Sequence, residues 1–146
     1  MIVLDTSALV EFLVGADEVA ERVRAVAGAE WLAAPHAVDL ECASALRGLV
    51  RAATLPAAEA RRALDLLGVI NLRRYDHVPL LPRIWQLRHN MWPYDAAYVA
   101  LAESLRAELL TIDRKFVGAP GLSCTVHNLR DDPPDGGSSD VIPRPR

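Results

Sequence analysis

The chain opens with the stretch Ile2-Val3-Leu4-Asp5-Thr6-Ser7-Ala8-Leu9-Val10, a short apolar strand that ends at a carboxylate. In an α/β sheet, ligands bind outside the carboxyl ends of the strands, so Asp5 is placed where a functional crevice is expected. Asp, Thr and Ser are also good helix N-caps, and for Asp5 taken alone the N-cap is the simpler interpretation. The opening stretch therefore predicts an α/β sheet with Asp5 at its functional edge.

Three further acids occupy comparable positions beside apolar elements. Glu41 borders the apolar stripe of a helix predicted over 36–53, Asp95 stands where a helix is predicted to begin after Pro93, and Asp113 ends a predicted strand. A carboxylate beside the core must be paired, protonated or bound to metal. For Glu41 a salt bridge to an Arg of a neighbouring helix explains the position equally well, and for Asp95 N-capping explains it locally.

Short apolar runs alternate with amphipathic segments along the rest of the chain. Further strands are predicted at 31–34, 69–72, 109–112 and 124–129; helices at 7–14, 18–27, 36–53, 56–67, 79–89 and from 95; a basic loop at 73–76; and a single helical turn at 113–116. This alternation predicts a mainly parallel sheet covered on both faces.

The composition is that of one globular domain. The chain has 146 residues, of which 51% are apolar and 24% charged. No apolar run approaches the roughly 18 to 20 residues that span a bilayer, and no basic segment precedes the first strand, so we expect a soluble, cytoplasmic protein without membrane contact. Cys42 and Cys124 have no second Cys nearby and no metal-binding spacing, which predicts buried thiols.

Residues 131–146 differ in composition from the domain predicted over 1–130. They are acidic and rich in Pro and Gly, which predicts a flexible tail. The net charge of the whole chain is −3, and its bases are fifteen Arg and the single Lys115. Arg binds phosphate well, but GC-rich codons explain the same excess and are the preferred explanation.

The predicted topology brings the four acids towards one pocket. Four carboxylates close together stay ionised only when cations neutralise them, and Mg²⁺ or Mn²⁺ prefers such oxygen ligands. In a two-metal site one ion activates a water and the other stabilises the leaving oxygen of a phosphoryl displacement. No nucleophile pattern is present, and the histidines are interpreted as surface or core residues: His36, His77, His89 and His127.

Three short motifs and the residue Glu41 resemble those of PIN-domain ribonucleases, and in particular those of the VapC toxins of bacterial toxin–antitoxin pairs. They are Val-Leu-Asp-Thr-Ser-Ala-Leu-Val at 3–10, the mid-helix Glu41, Tyr-Asp-Ala-Ala-Tyr-Val-Ala-Leu-Ala-Glu at 94–103, and Leu-Leu-Thr-Ile-Asp-Arg-Lys-Phe at 109–116. Each of these alone is weak, but their order and spacing together are specific. The resemblance covers residues 1–130 and does not include the tail.

The resemblance implies a PIN-like three-layer α/β/α fold with a mainly parallel central sheet. It implies a Mg²⁺-dependent endoribonuclease, with Mn²⁺ as a substitute, that cleaves RNA through a metal-activated water and acts as a toxin. It also implies a homodimer and a VapB-type antitoxin whose C-terminal segment covers the active site in a higher-order complex. The implied metal ligands and catalytic residues are Asp5, Glu41, Asp95 and Asp113, with hydroxyl support from Thr6, Ser7 and Thr111.

Two other functions fit part of the pattern. A receiver-like signalling domain also gathers acids around Mg²⁺ at strand ends, but it would show adjacent acids after the first strand and a Lys near the last. A PIN-like module that binds RNA without cutting it is the other alternative, which the complete set of acids disfavours.

Overall fold

The computed structural model describes residues 1–131, so the tail predicted over 131–146 lies almost wholly outside the described residues. Five strands form a single parallel sheet: β1 (Ile2–Leu4), β2 (Leu32–Pro35), β3 (Leu72–Tyr75), β4 (Glu108–Thr111) and β5 (Val126–Asn128). Their order in the sheet is β3-β2-β1-β4-β5, and every neighbouring pair is parallel. The predicted α/β fold with a parallel central sheet is confirmed.

Within the described residues, six helices connect and cover the strands: α1 (Thr6–Val14), α2 (Glu18–Gly28), α3 (Val38–Arg51), α4 (Ala57–Val69), α5 (Leu81–Gln86) and α6 (Pro93–Leu105). Short 3₁₀ turns occupy Val78–Leu80 and Arg114–Phe116. Among the helices of residues 1–131, none combines the length and apolar character that crossing a bilayer would require.

The central strand β1 fixes the position of the functional edge. Its residues are buried between β2 and β4, and α6 packs against the sheet through the buried run 96–102, whose four alanines allow close approach. Leu4 pairs with Leu110, and the next amide, that of Asp5, donates to the carbonyl of Leu110 at 3.1 Å. The carboxyl ends of β1 and β4 therefore lie side by side, as parallel strands require.

The third strand was predicted in the wrong place. Residues 69–72 were predicted as a strand and 73–76 as a loop, whereas α4 continues through Gly68 to Val69 and the strand runs Leu72–Tyr75. Arg74 fits in this edge strand because its guanidinium binds Asp39 and the carbonyl of Leu67. Long basic side chains are compatible with an edge strand when their charged ends find partners or solvent.

Prolines explain the other differences. The helix predicted over 79–89 is a 3₁₀ turn followed by the short α5, because Pro79 and Pro82 supply no N–H for a continuous ladder. The helix predicted from Asp95 begins at Pro93, since Pro is favoured at the first helical position. Asp95 therefore lies in the first turn of α6 and is not its N-cap, which is Trp92.

The predicted buried thiols are confirmed for one of the two cysteines. Both are free; Cys42 is buried on α3 and Cys124 is only half-buried before β5. Burial, together with the neighbouring charges of Asp39, Glu41 and Asp5, raises the pKa of Cys42 to about 12, so this thiol is neutral and packs as an apolar group.

Candidate active site

Asp5 is held in one position by three donors at the end of β1. Its Oδ1 accepts the Ala8 amide at 2.9 Å, which caps α1, and the Ser7 hydroxyl at 2.7 Å, while its Oδ2 accepts the Thr111 hydroxyl at 2.8 Å. The residue is only 3% exposed. Burial raises the pKa of Asp5, and these hydrogen bonds and the charge of Lys115 lower it only in part. The N-cap role is confirmed. A carboxylate buried this deeply stays ionised at low cost only when a cation lies nearby.

Glu41 faces the same region from α3, where Tyr98 of α6 fixes it. The Tyr98 hydroxyl donates to Glu41 Oε1 at 2.9 Å and also shares a hydrogen bond with the Thr6 hydroxyl at 2.8 Å. Burial raises the pKa of Glu41, the Tyr98 bond lowers it, and the nearby charges of Asp95 and Asp5 raise it. Within residues 1–131, the salt bridge to Arg that was the alternative for Glu41 is made instead by Asp39, with Arg74 at 2.7 Å.

Asp95 and Asp113 are joined by a lysine. The Lys115 ammonium lies 2.8 Å from Asp95 Oδ1 and 3.3 Å from Asp113 Oδ2. Asp113 also caps the 3₁₀ turn after β4, because its Oδ1 accepts the Lys115 amide at 3.0 Å. Burial alone would lower the pKa of Lys115, but the two carboxylates raise it, so the side chain is a cation at neutral pH.

Asp5, Asp113 and Asp95 belong to one network of hydrogen bonds and ion pairs at the carboxyl end of the sheet, and Glu41 lies near enough for the charges of Asp95 and Asp5 to raise its pKa. The Ser7 and Thr111 hydroxyl oxygens lie 3.2 Å apart, each donating its proton to Asp5, and Thr111 also accepts the Asp113 amide at 2.9 Å. These two hydroxyls therefore support Asp5 and the Asp113 backbone directly. The third predicted hydroxyl, that of Thr6, binds Tyr98 and so reaches the site through Glu41.

The four acids do not form a complete metal-binding site in this conformation. In the part of the chain that the structure describes, no three Asp, Glu, His or Cys side chains stand close enough together to hold an ion. The Lys115 ammonium lies between Asp95 and Asp113 and pairs with both. The donors themselves are carboxylate and hydroxyl oxygens, which fit Mg²⁺ or Mn²⁺.

Two contributors, Tyr98 and Lys115, were missed in the sequence. Tyr98 was predicted only as a packing residue of α6, although it lies three positions after Asp95 and so on the same helix face. Lys115 was noticed only as the single lysine, although it stands two residues after Asp113. Helical spacing could have indicated the first, and a lone lysine inside an acidic word could have indicated the second.

A cleft leads away from the acids along the loop before α6. A cavity of about 130 Å³ is lined by Asn90, Met91, Trp92, Asp95, Lys115 and Phe116. An adjoining cleft of about 440 Å³ shares Trp92 and adds Arg88 and His89. Trp92 is 78% exposed, which is unusual for so large an apolar side chain. The site thus opens onto an aromatic and basic surface.

Comparisons with known proteins agree with this architecture. The family model described as PIN domain matches residues 2–122. Ribonuclease VapC1 of Mycobacterium tuberculosis is 41% identical over 129 residues, which cover 88% of this chain and 97% of the relative.

Two solved structures share the fold. A toxin–antitoxin complex from Klebsiella pneumoniae contains a chain with a TM-score of 0.59 and 20% identity, covering 88% of this chain and 98% of that one. Mycobacterium tuberculosis VapC20, described as a sarcin–ricin loop cleaving toxin, has a TM-score of 0.60 and 15% identity, covering 78% of this chain and 91% of that one.

Proposed function

From the premise that this chain belongs to the PIN-domain family and to its VapC ribonucleases, we propose that it is a Mg²⁺-dependent endoribonuclease that acts as the toxin of a toxin–antitoxin pair. Asp5, Glu41, Asp95 and Asp113 are the proposed metal-binding and catalytic residues. The family match favours this function over a receiver-like domain, and the presence of all four acids at the carboxyl end of the sheet favours it over a module that only binds RNA.

The observation that carries the proposal is the buried carboxylate of Asp5, which lies in a network with Asp95 and Asp113 and close to Glu41. A structural N-cap needs no burial, as Asp17 demonstrates: it caps α2 through the Ala20 amide at 3.0 Å while exposed. Keeping Asp5 ionised at 3% exposure is costly unless a cation compensates. Such a cost is typical of a functional site.

The residues of the chain divide the proposed reaction between them. Asp5, Glu41, Asp95 and Asp113 would hold Mg²⁺, which when bound supplies Lewis-acid activation of water and stabilises charge on the leaving oxygen. Thr111 and Ser7 hold the Asp5 carboxylate, and Tyr98 holds that of Glu41. Fixing these oxygens before the ion binds reduces the reorganisation that binding requires.

The cleft beside Asp95 suits a single-stranded RNA, because exposed aromatic rings stack on unpaired bases and basic side chains attract phosphates. Replacing Trp92 by Ala is expected to weaken RNA binding about fivefold or more. The measurement is RNA affinity in an Asp5→Asn background, which prevents cleavage during titration. Trp31 offers a matched control. It is 69% exposed but precedes β2, at the amino ends of the strands, opposite the end that carries the acids.

The Trp31→Ala variant should bind RNA as the parent protein does. Equal RNA affinity in the Trp92→Ala variant and its parent would contradict the RNA contact. A loss of dimer in sedimentation experiments without a change in RNA affinity would instead assign Trp92 to a contact between two copies of the chain.

The proposed partners are a VapB-type antitoxin and a second copy of the chain. The Klebsiella pneumoniae neighbour is described as part of a toxin–antitoxin complex, which supports the first. The second is supported by three exposed apolar residues spaced for one face of the 3₁₀ turn and α5, namely Val78, Leu81 and Trp85. We propose a homodimer that forms a larger complex with the antitoxin.

The proposed function is tested by a cleavage assay and a growth assay. Purified protein should cleave RNA in Mg²⁺ or Mn²⁺ and lose that activity in EDTA, and expression without antitoxin should arrest growth. Sequencing the RNA ends after induction identifies the target. Undiminished growth at good expression would count against the toxin role, whereas metal-independent cleavage or none at all would count against the nuclease mechanism.

A further inference from the structure

Lys115 is the only lysine of the chain, and its side chain lies between two of the four acids. Its ammonium pairs with Asp95 at 2.8 Å and with Asp113 at 3.3 Å, while its own amide donates to Asp113 at 3.0 Å. The neighbouring Arg114 points to Asp131 instead, at 2.9 Å. Of these two adjacent cationic side chains, Lys115 therefore pairs with two of the proposed metal ligands, whereas Arg114 pairs with Asp131.

An ammonium and a divalent cation that contact the same carboxylate oxygens compete for them, so each binds more weakly than it would alone. The single positive charge of Lys115 already compensates Asp95 and Asp113 in part, and it also lowers the pKa of Asp5 and of Glu41. A divalent cation that binds here meets a like charge within a few ångströms, a repulsion that is substantial even at a high effective dielectric constant. The absence of a three-ligand metal group within residues 1–131 is consistent with this competition.

We propose that the Lys115 ammonium is a resident counter-ion of Asp95 and Asp113 that competes with the divalent metal and sets the concentration at which the site loads. The proposal rests on the proposed function of the same acids. Lys115 partly neutralises Asp95 and Asp113 in the metal-free protein and must leave at least one of them when the metal binds. The site is thereby tuned to weaker metal binding than its four carboxylates would give alone.

Metal binding measured without RNA tests the competition. Mn²⁺ affinity, read from the EPR signal of free Mn²⁺, is expected to be about tenfold tighter in Lys115→Gln than in the wild type, because one nearby positive charge is removed. Lys115→Arg keeps the charge and should stay near the wild type. Arg114→Gln removes an equal charge from the adjacent residue, whose side chain pairs with Asp131, and is the matched control.

A second measurement needs no variant, because a protein with one lysine gives one set of lysine side-chain signals. In wild-type protein labelled with ¹³C-lysine, the Lys115 ε-CH₂ resonance should shift as Mg²⁺ is added, over the range in which the site fills. This result keeps the test decisive if Lys115→Gln fails to fold.

The outcomes separate this inference from the proposed function. Unchanged Mn²⁺ affinity in Lys115→Gln, or an unmoved lysine signal in metal-saturated protein, overturns the competition while leaving the nuclease intact. Reduced cleavage with unchanged metal affinity also overturns it and assigns Lys115 to an RNA contact. If neither wild type nor Lys115→Gln binds Mn²⁺, both this inference and the metal-dependent nuclease fail together.

Discussion

Replacing Asp5 by Asn is expected to lower Mg²⁺-dependent RNA cleavage on the order of 10³-fold or more while the fold remains intact. The Asn oxygen can still accept the Ala8 amide and cap α1, and its NH₂ group can donate to Thr111 in place of the present bond. Only the negative charge is removed. The measurement is the cleavage rate at saturating Mg²⁺, with circular dichroism to verify the fold.

Asp17 provides the matched control, because it caps α2 in the same way as Asp5 caps α1. Asp17→Asn makes the same chemical change at an exposed cap and should cleave RNA at the wild-type rate. Cleavage by Asp5→Asn at a rate close to that of the wild type would remove Asp5 from the catalytic site, whatever its burial suggests.

The same variant makes a prediction about stability in EDTA. Burial raises the pKa of Asp5 above its ordinary value of 3.8, so the folded state binds the proton more tightly than the unfolded state. The stability of the metal-free wild type therefore falls as pH rises through the interval between the two pKa values, and the loss persists above it. The stability of Asp5→Asn relative to wild type should be greater at about pH 8 than at about pH 4. A constant difference would contradict the raised pKa.

Local patterns were sufficient to place the acids. Asp5 follows a three-residue buried strand, and its place at the carboxyl end of the sheet follows from that sequence alone. Helical periodicity placed Glu41 at the border of the buried stripe of α3, where it is half-buried. Both inferences need only neighbouring residues, and for that reason they hold in the structure.

The contacts that make a site of these acids join residues far apart in the chain. Thr111 reaches Asp5 across 106 positions and Tyr98 reaches Glu41 across 57. Such pairs depend on how β4 and α6 pack against the centre of the sheet, which periodicity does not specify. The place of Lys115 between two acids is of the same kind, since its partner Asp95 belongs to another element.

Replacing Tyr98 by Phe is expected to lower cleavage about 10- to 100-fold at limiting Mg²⁺, because Tyr98 orients the Glu41 carboxylate, which we propose binds the metal. Phe preserves the buried ring but removes the donor to Glu41 Oε1 and the partner of Thr6. The Glu41 carboxylate then loses its fixed orientation, which weakens metal binding, and a higher Mg²⁺ concentration can offset that weakening. Cleavage should therefore approach the wild-type rate as Mg²⁺ is raised.

The pH profile distinguishes this positioning role from a general loss of packing. The Tyr98 bond lowers the pKa of Glu41, so its removal should move the acidic limb of the cleavage profile to higher pH. Tyr75→Phe is the control, since the only side-chain contact that its hydroxyl makes within residues 1–131 is to the Met1 sulphur, at 3.8 Å. An acidic limb at the wild-type pH in Tyr98→Phe, with activity reduced equally at every Mg²⁺ concentration, would mean that the hydroxyl stabilises the fold and does not tune the carboxylate.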